Sequence, residues 1–160
     1  MKRGGNSRPA SIKTRKTMDI WERMYEAAKG LYHPEYISPF IYCHHVVSAL
    51  EAENGEIFTG FCVRSCSGVC NLCAERVAAL NMLVNSGQTK IRRIITFRDE
   101  PPSNLLSLPC GACREFLMQL SIDNAQMEIM TDYEKRSTIT LGEITPMWWG
   151  YEKLNEKNKT

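Results

Sequence analysis

The feature that most constrains this chain is a set of thiols split between two helix starts. The stretch LCAERVAAL (residues 72 to 80) opens an apolar helical pattern with Cys73 and Glu75. The stretch SLPCGACREFL (residues 107 to 117) opens a second with Cys110 and Cys113. A helix start presents unpaired backbone N–H groups and a partial positive charge, which lower a thiol's pKa and help to hold a thiolate on a metal. Cys110 and Cys113 can grip one ion from a single helical turn. Cys73 can supply a third ligand if the two helices begin side by side.

Three sulfur ligands and an open fourth position suit a catalytic zinc, which keeps one site for water. Glu75, two residues after Cys73, is placed to reach that position without ligating, as a carboxylate that moves protons beside an activated water. Three thiolates on Zn²⁺ leave a net charge of −1, which opposes ionisation of the water. The site therefore wants a cation, and Arg76, next to Glu75, and Arg114, next to Cys113, are both candidates. A rival reading pairs Cys70 with Cys73 and closes a four-cysteine structural zinc ribbon. Against it, 36 residues separate Cys73 from Cys110, where ribbons have roughly 15–20, and a ribbon has no use for Glu75.

Seven cysteines, odd in number and unevenly clustered, fit a disulfide framework poorly and point to a reducing compartment. No apolar run approaches the ~20 residues of a membrane helix, and no signal peptide opens the chain. A cytoplasmic protein with no membrane partner is the expectation. The net charge of +2 conceals a split. Residues 1–17 carry six basic residues and no acid, while the rest has 18 acidic against 14 basic. The tail reads as a disordered extension, and the acidic body gives no expectation of nucleic acid binding.

Helical spacing runs through MDIWERMYEAAKGLY, with Asp19 as N-cap and Gly30 weakening the end. Two β-rich runs joined at Asn54-Gly55 predict a hairpin, whose glutamates at Glu51–Glu56 read as a solvated tip. Cys43 and Cys62 fall within the strand patterns as buried thiols. His44 and His45 alternate in facing, so at most one of them faces the pocket. Then follow a helix from Cys73 stopped by Gly87, the strand KIRRIITF, a proline-broken loop and the helix CGACREFLMQL. The short strand QMEIMT and another near Thr138 to Leu141 complete the pattern. Strands alternating with helices after a hairpin predict helices packed on one mixed sheet. One domain is expected over residues 18–154, with residues 155–160 frayed.

The motif Cys-Ala-Glu at 73–75 followed by Pro-Cys-Gly-Ala-Cys at 109–113 resembles the cytidine deaminase superfamily. ALEAENGEIFTG (residues 49–60) is similar to that family's first hairpin, and LGEITPMWWGYEKL (residues 141–154) to its C-terminal segment. The resemblance spans roughly residues 20–154 and is nearest to the small tetrameric cytidine and blasticidin-S deaminases. It implies a three-layer α/β/α sandwich, a homotetramer and one Zn²⁺ per subunit, held by Cys73, Cys110 and Cys113. It further implies Glu75 as the proton shuttle and Arg76 as the arginine that neutralises the sulfurs. Hydroxide would attack C4 of a cytosine-like ring, and ammonia would leave. Substrate contacts are implied at His44, Cys62, Arg64, Ala74 and Trp148, the last as a lid over a neighbouring subunit's site.

The chain departs from the family where Asn-x-Glu-Asn holds the ribose, since Cys62, Val63, Arg64 and Ser65 stand there. A guanidinium cannot accept a hydroxyl proton as a carboxylate does, but it binds carboxylate or phosphate bidentately. The expected substrate is thus an anionic or modified cytosine nucleoside. Two alternatives are a deaminase of cytosine in single-stranded nucleic acid and a non-catalytic zinc- or nucleoside-binding module. Glu75 argues against the module, because a binder has no use for a shuttle.

Overall fold

The structure, a computed structural model, describes residues 17–105 and 107–157. The basic tail, apart from residue 17, and the end of the chain beyond residue 157 lie outside the described residues.

Asp19 starts helix α1 (Ile20–Lys29) by a reciprocal capping box. Its carboxylate accepts the Glu22 N–H at 2.9 Å, and the Glu22 carboxylate accepts the Asp19 N–H at 2.9 Å. The helical spacing buries Trp21, Met24 and Ala28. Strand β1 (Glu35–Ser38) follows, which the sequence pattern does not announce because its residues are mostly exposed. Strands β2 (Ile41–Ala52) and β3 (Ile57–Ser65) form the expected hairpin. Gly55 takes φ 89° at its turn, where a side chain would be strained.

The remaining elements are α2 (Ala74–Ser86), β4 (Ile91–Phe97), α3 (Gly111–Leu120), β5 (Glu128–Asp132), β6 (Ser137–Thr140) and α4 (Gly150–Lys157). The sequence predicts fraying from residue 155, whereas α4 continues to Lys157. Its glutamates and lysines are good helix formers, and no glycine or proline interrupts them.

Strand β2 organises the sheet. One edge pairs with β3, while the other pairs with β1 near Ile41–Cys43 and with β4 along Val47–Ala52, all antiparallel. β5 then runs parallel to β4, and β6 antiparallel to β5, giving one mixed sheet. Alternate side chains of β2 serve two cores. Val47 and Ala49 pack with Trp21 and Met24 of α1, Ile95, Phe97 and Met130. Leu50 and Ala52 pack on the other face with Ala78 and Met82 of α2, Leu117 of α3, Met127 and Ile129. The result is the α/β/α sandwich that the sequence predicts.

One residue of the expected solvated tip is buried instead. Glu51 is still within β2, and its carboxylate meets the Arg93 Nε at 2.9 Å. That guanidinium in turn lies 5.4 Å from the centre of the Trp21 ring.

Helix α2 lies directly on β3 because residue 60 is glycine. A methyl group there would sit 2.6 Å from the Ala74 carbonyl oxygen and 2.9 Å from the Val77 carbonyl carbon, and would strike the Ala78 nitrogen. Those atoms are helix backbone and cannot turn aside. Gly60→Ala is therefore expected to lift the first turn of α2 and to destabilise the fold by about 1–3 kcal/mol, as overpacking does. Chemical denaturation of the variant checks this; an unchanged midpoint would contradict the close approach.

Candidate functional site

Cys73 and Cys110 are the N-cap residues of α2 and α3, with extended backbone angles. Neither side chain caps its own helix, so each thiol is free to turn toward the other. The Sγ of Cys73 lies 3.7 Å from that of Cys110, which lies 3.6 Å from that of Cys113. All three sulfurs fall within 4.8 Å of one another. A tetrahedral ion with ~2.3 Å bonds to sulfur needs sulfurs about 3.8 Å apart, so the spacing fits one zinc-sized ion. Cys70 is exposed in a short 3₁₀ turn (Gly68–Cys70) and does not belong to this cluster. The closed ribbon is thereby set aside.

Burial, then the Glu75 charge and the other thiols, hold the Cys113 thiol well above its ordinary pKa. Burial also opposes ionisation of Cys110, but the nearby backbone N–H groups of Cys113 and Ala112 and the neighbouring thiols outweigh it and lower its pKa. Glu75, in the first turn of α2, is buried at 5% exposure. That burial raises its pKa, against the opposing pull of a backbone N–H, the Cys113 thiol and Arg76.

The two candidate cations are distinguished by what they touch. Arg114 donates from Nε to the Pro109 carbonyl and from Nη1 to the Ile144 carbonyl, both at 2.8 Å, and so ties down the start of α3. Arg76 donates from Nη2 to the Asn71 carbonyl at 3.1 Å, and its guanidinium interacts with the Cys73 and Cys113 thiols. The Arg76 Nε is buried without a hydrogen-bond partner. An orphaned donor beside soft sulfurs fits a site meant to hold thiolates on a cation.

Above the thiols opens a cavity of about 430 Å³, a size suited to a small molecule. Cys73, Ala74, Glu75 and Cys110 line it together with Cys62 and Arg64 of β3. The structure thus brings together most of the site residues read from the sequence. The Cys62 Sγ accepts the Val46 N–H at 3.1 Å and lies 3.2 Å from the His45 Nδ1.

His44 is corrected: the structure places His45 on the pocket wall in its stead. The β2–β3 register shifts between Cys43 and Val47, and His44 has φ 61°. A bulge of this kind reverses which residue faces which side, so counting back from the turn glycine through it to the family's stacking position selects the wrong histidine. His44 instead stacks between His33 and Phe61, at ring separations of 3.8 and 3.7 Å, with its Nδ1 2.8 Å from the Leu31 carbonyl. Trp148 lies away from this chain's own pocket. Its Nε1 and that of Trp149 donate to the Glu115 carboxylate at 2.9 and 3.0 Å.

Sequence reasoning missed His45, Asn71, Thr96 and Arg98 as lining residues. Arg98 had a usable signal. It follows the carboxyl end of β4, a strand with a parallel neighbour, and ligands bind outside the carboxyl ends of such strands.

No family-level sequence profile matches the chain. It is 28% identical over 99 residues to a cytidine deaminase of Mycoplasma pneumoniae, covering 61% of this chain and 72% of that protein. The fold matches the cytidine deaminase of Mycobacterium tuberculosis with a TM-score of 0.63 at 22% identity, over 83% of this chain and 99% of that one. It matches the cytidine deaminase of Bacillus anthracis with a TM-score of 0.60 at 22% identity, over 88% and 97% of the two chains.

Titration of metal-free protein with Co²⁺ is expected to give sulfur-to-metal charge-transfer absorption that saturates at one ion per chain. Cys113→Ser should weaken binding at least ~10-fold, given three strong sulfur donors, whereas Cys70→Ser should leave it unchanged. Equal losses in both variants would restore the four-cysteine arrangement.

Proposed function

We propose that this chain, which belongs to the cytidine deaminase superfamily, is a zinc-dependent aminohydrolase that converts a cytosine nucleoside or close analogue to the uracil product and ammonia. The observation that carries the reading is a buried carboxyl group, Glu75, set beside three sulfurs at tetrahedral spacing in the wall of a nucleoside-sized cavity.

Cys73, Cys110 and Cys113 would hold the ion, which when bound supplies a water that loses its proton easily and attacks the substrate's C4. Glu75 does the proton work. Its burial raises its proton affinity, so it can take the proton from the attacking water and return it to ring N3, then carry the proton of the new C4 hydroxyl to the amino group, which leaves as ammonia as the C4 carbonyl forms. Arg76 draws charge from the sulfurs of Cys73 and Cys113 and so offsets the excess negative charge of three thiolates. Asn71 keeps that guanidinium in place through its carbonyl. Val46, Leu72, Phe97 and Leu108 give the cavity apolar walls that limit water at the ring.

A non-catalytic binder would gain nothing from a carboxyl group buried at that depth. Burying an ionisable group costs stability, and proton transfer at the pocket is a use that offers a reason to keep it.

We read the protein as a homotetramer in the cytoplasm, with one zinc per subunit and Trp148 reaching toward a neighbouring site. Two features support this. The outer face of α2 leaves Leu80, Leu83 and Val84 exposed, the last at 80%, and such apolar patches mark interfaces. The seven cysteines are all free, as a reducing compartment requires. No described helix is long and apolar enough to cross a membrane.

Two outcomes are expected. Zinc-loaded protein should deaminate cytidine or an analogue, followed by ultraviolet absorbance, and Glu75→Gln should lower kcat by at least ~10²–10⁴-fold with zinc content unchanged. Turnover retained in that variant would remove Glu75 from the mechanism. Sedimentation should give four times the chain mass, and Val84→Glu should shift it to smaller species; a monomeric wild type would refute the assembly.

A further inference from the structure

Resting on the deaminase reading, we infer that the pocket carries an oxyanion subsite made by Arg64 and Arg98, so that the substrate is a cytosine nucleoside bearing a phosphate or carboxylate rather than a neutral one. The two arginines arrive from opposite sides of β2. Arg64 lies in β3, paired across from Tyr42, and Arg98 follows Phe97, which pairs across from Val47 on the β4 side. Between those register points β2 bulges, and His45 in the bulge shares the cavity wall with both guanidiniums.

Their charges converge on one place. The His45 imidazole is held below its ordinary pKa first by burial, then by Arg64 and Arg98 together. Arg76, by contrast, is held by the Asn71 carbonyl beside the thiols. The cavity thus has a chemical end, where Arg76 serves the thiols, and a separate cationic end.

That cationic end is unneutralised. Arg76, Arg93, Arg114 and Arg136 each engage a carbonyl or carboxylate. Among the described residues neither Arg64 nor Arg98 has an ion pair or hydrogen bond of its own, and Glu75 is the only acid in the cavity lining. Two like charges in one concave wall repel each other and raise the local positive potential. A ribose hydroxyl does little to relieve that, whereas an oxyanion accepts from both guanidiniums, bidentately where geometry allows. Sequence comparison brought only Arg64 forward; the second cation comes from the fold.

The test compares kcat/KM for cytidine, cytidine 5′-monophosphate and cytidine oxidised to its 5′-carboxylate, on wild type and on Arg64→Ala, Arg98→Ala and Arg64→Lys. An anionic substrate should be preferred at least ~10-fold, with phosphate and carboxylate told apart by which is used better. Each alanine variant should lower the ratio of anionic to neutral kcat/KM by about 10–100-fold, chiefly through KM, as loss of a charge-assisted contact does. Arg64→Lys should recover part of it, and added salt should erode the wild-type preference. A preference for neutral cytidine, or a ratio that the alanine variants leave unmoved, overturns the subsite while leaving the deaminase reading intact. If zinc-loaded wild type turns over none of the three, the deaminase reading fails. Calorimetry with cytidine 5′-monophosphate then decides the subsite: tighter binding than cytidine that Arg64→Ala abolishes supports it, and equal binding overturns it.

Discussion

Three sulfurs gathered by two helix starts, that of Cys110 lying 3.7 Å from Cys73 and 3.6 Å from Cys113, are the constraint on which the rest of this structure depends. Thiolates at that distance repel, and thiols gain little from one another, so the arrangement must be imposed by the fold or repaid by a cation. Both occur. Gly60 lets α2 settle on β3 with its first turn at the sheet surface. Arg114 ties the start of α3 to the Pro109 and Ile144 carbonyls. Each bond is ordinary, and together they leave the sulfurs little freedom to separate.

Charge around the cavity follows a division of labour. Arg76 sits behind the thiols, braced by the Asn71 carbonyl, and its orphaned Nε marks a site whose electrostatics are complete only with thiolates present. Arg64 and Arg98 act on His45 at the other end. Separating the two groups matters because a guanidinium paired with Glu75 at close range would hold its proton affinity down. Burial is instead the leading influence on that carboxyl.

Much of this was legible in the residues. Asp19 and Gly87 bounded their helices, Asn54-Gly55 turned the hairpin, and the spacing of Cys73, Glu75, Cys110 and Cys113 announced both the convergence of two helix starts and a carboxyl group beside them. These signals are local: a cap, a turn or a helical turn is encoded within a few residues. What was hidden depends on partners distant in sequence. The bulge that exchanges His44 for His45 is a property of the β2–β3 pairing, and nothing in the run Cys43 to Val47 marks it. Glu51 read as solvated because its partner, Arg93, lies on another strand. Arg98 acquires meaning only when the order of strands puts the end of β4 beside β3's side of the cavity.

The places where local rules fail are also informative about why this chain is not simply a stable sandwich. Two helices begin with cysteines that leave their own backbone donors uncapped, although serine or aspartate there would add about 1 kcal/mol each. A glutamate is buried without an ion pair at bonding distance, a guanidinium nitrogen has no acceptor, and His44 adopts a left-handed backbone where asparagine or glycine would be more at ease. The rules hold at the α1 capping box and at the glycines with φ 89° and 69°, and they also give way away from the pocket, at the left-handed Arg136 and Met147. Of the departures at the cysteines, Glu75, Arg76 and His44, the first three touch the thiols or the pocket directly, and the last belongs to the bulge that turns His45 into it. The departures at the thiols and on the pocket wall thus fall on side chains that converge on one cavity, where local stability is given up for their placement.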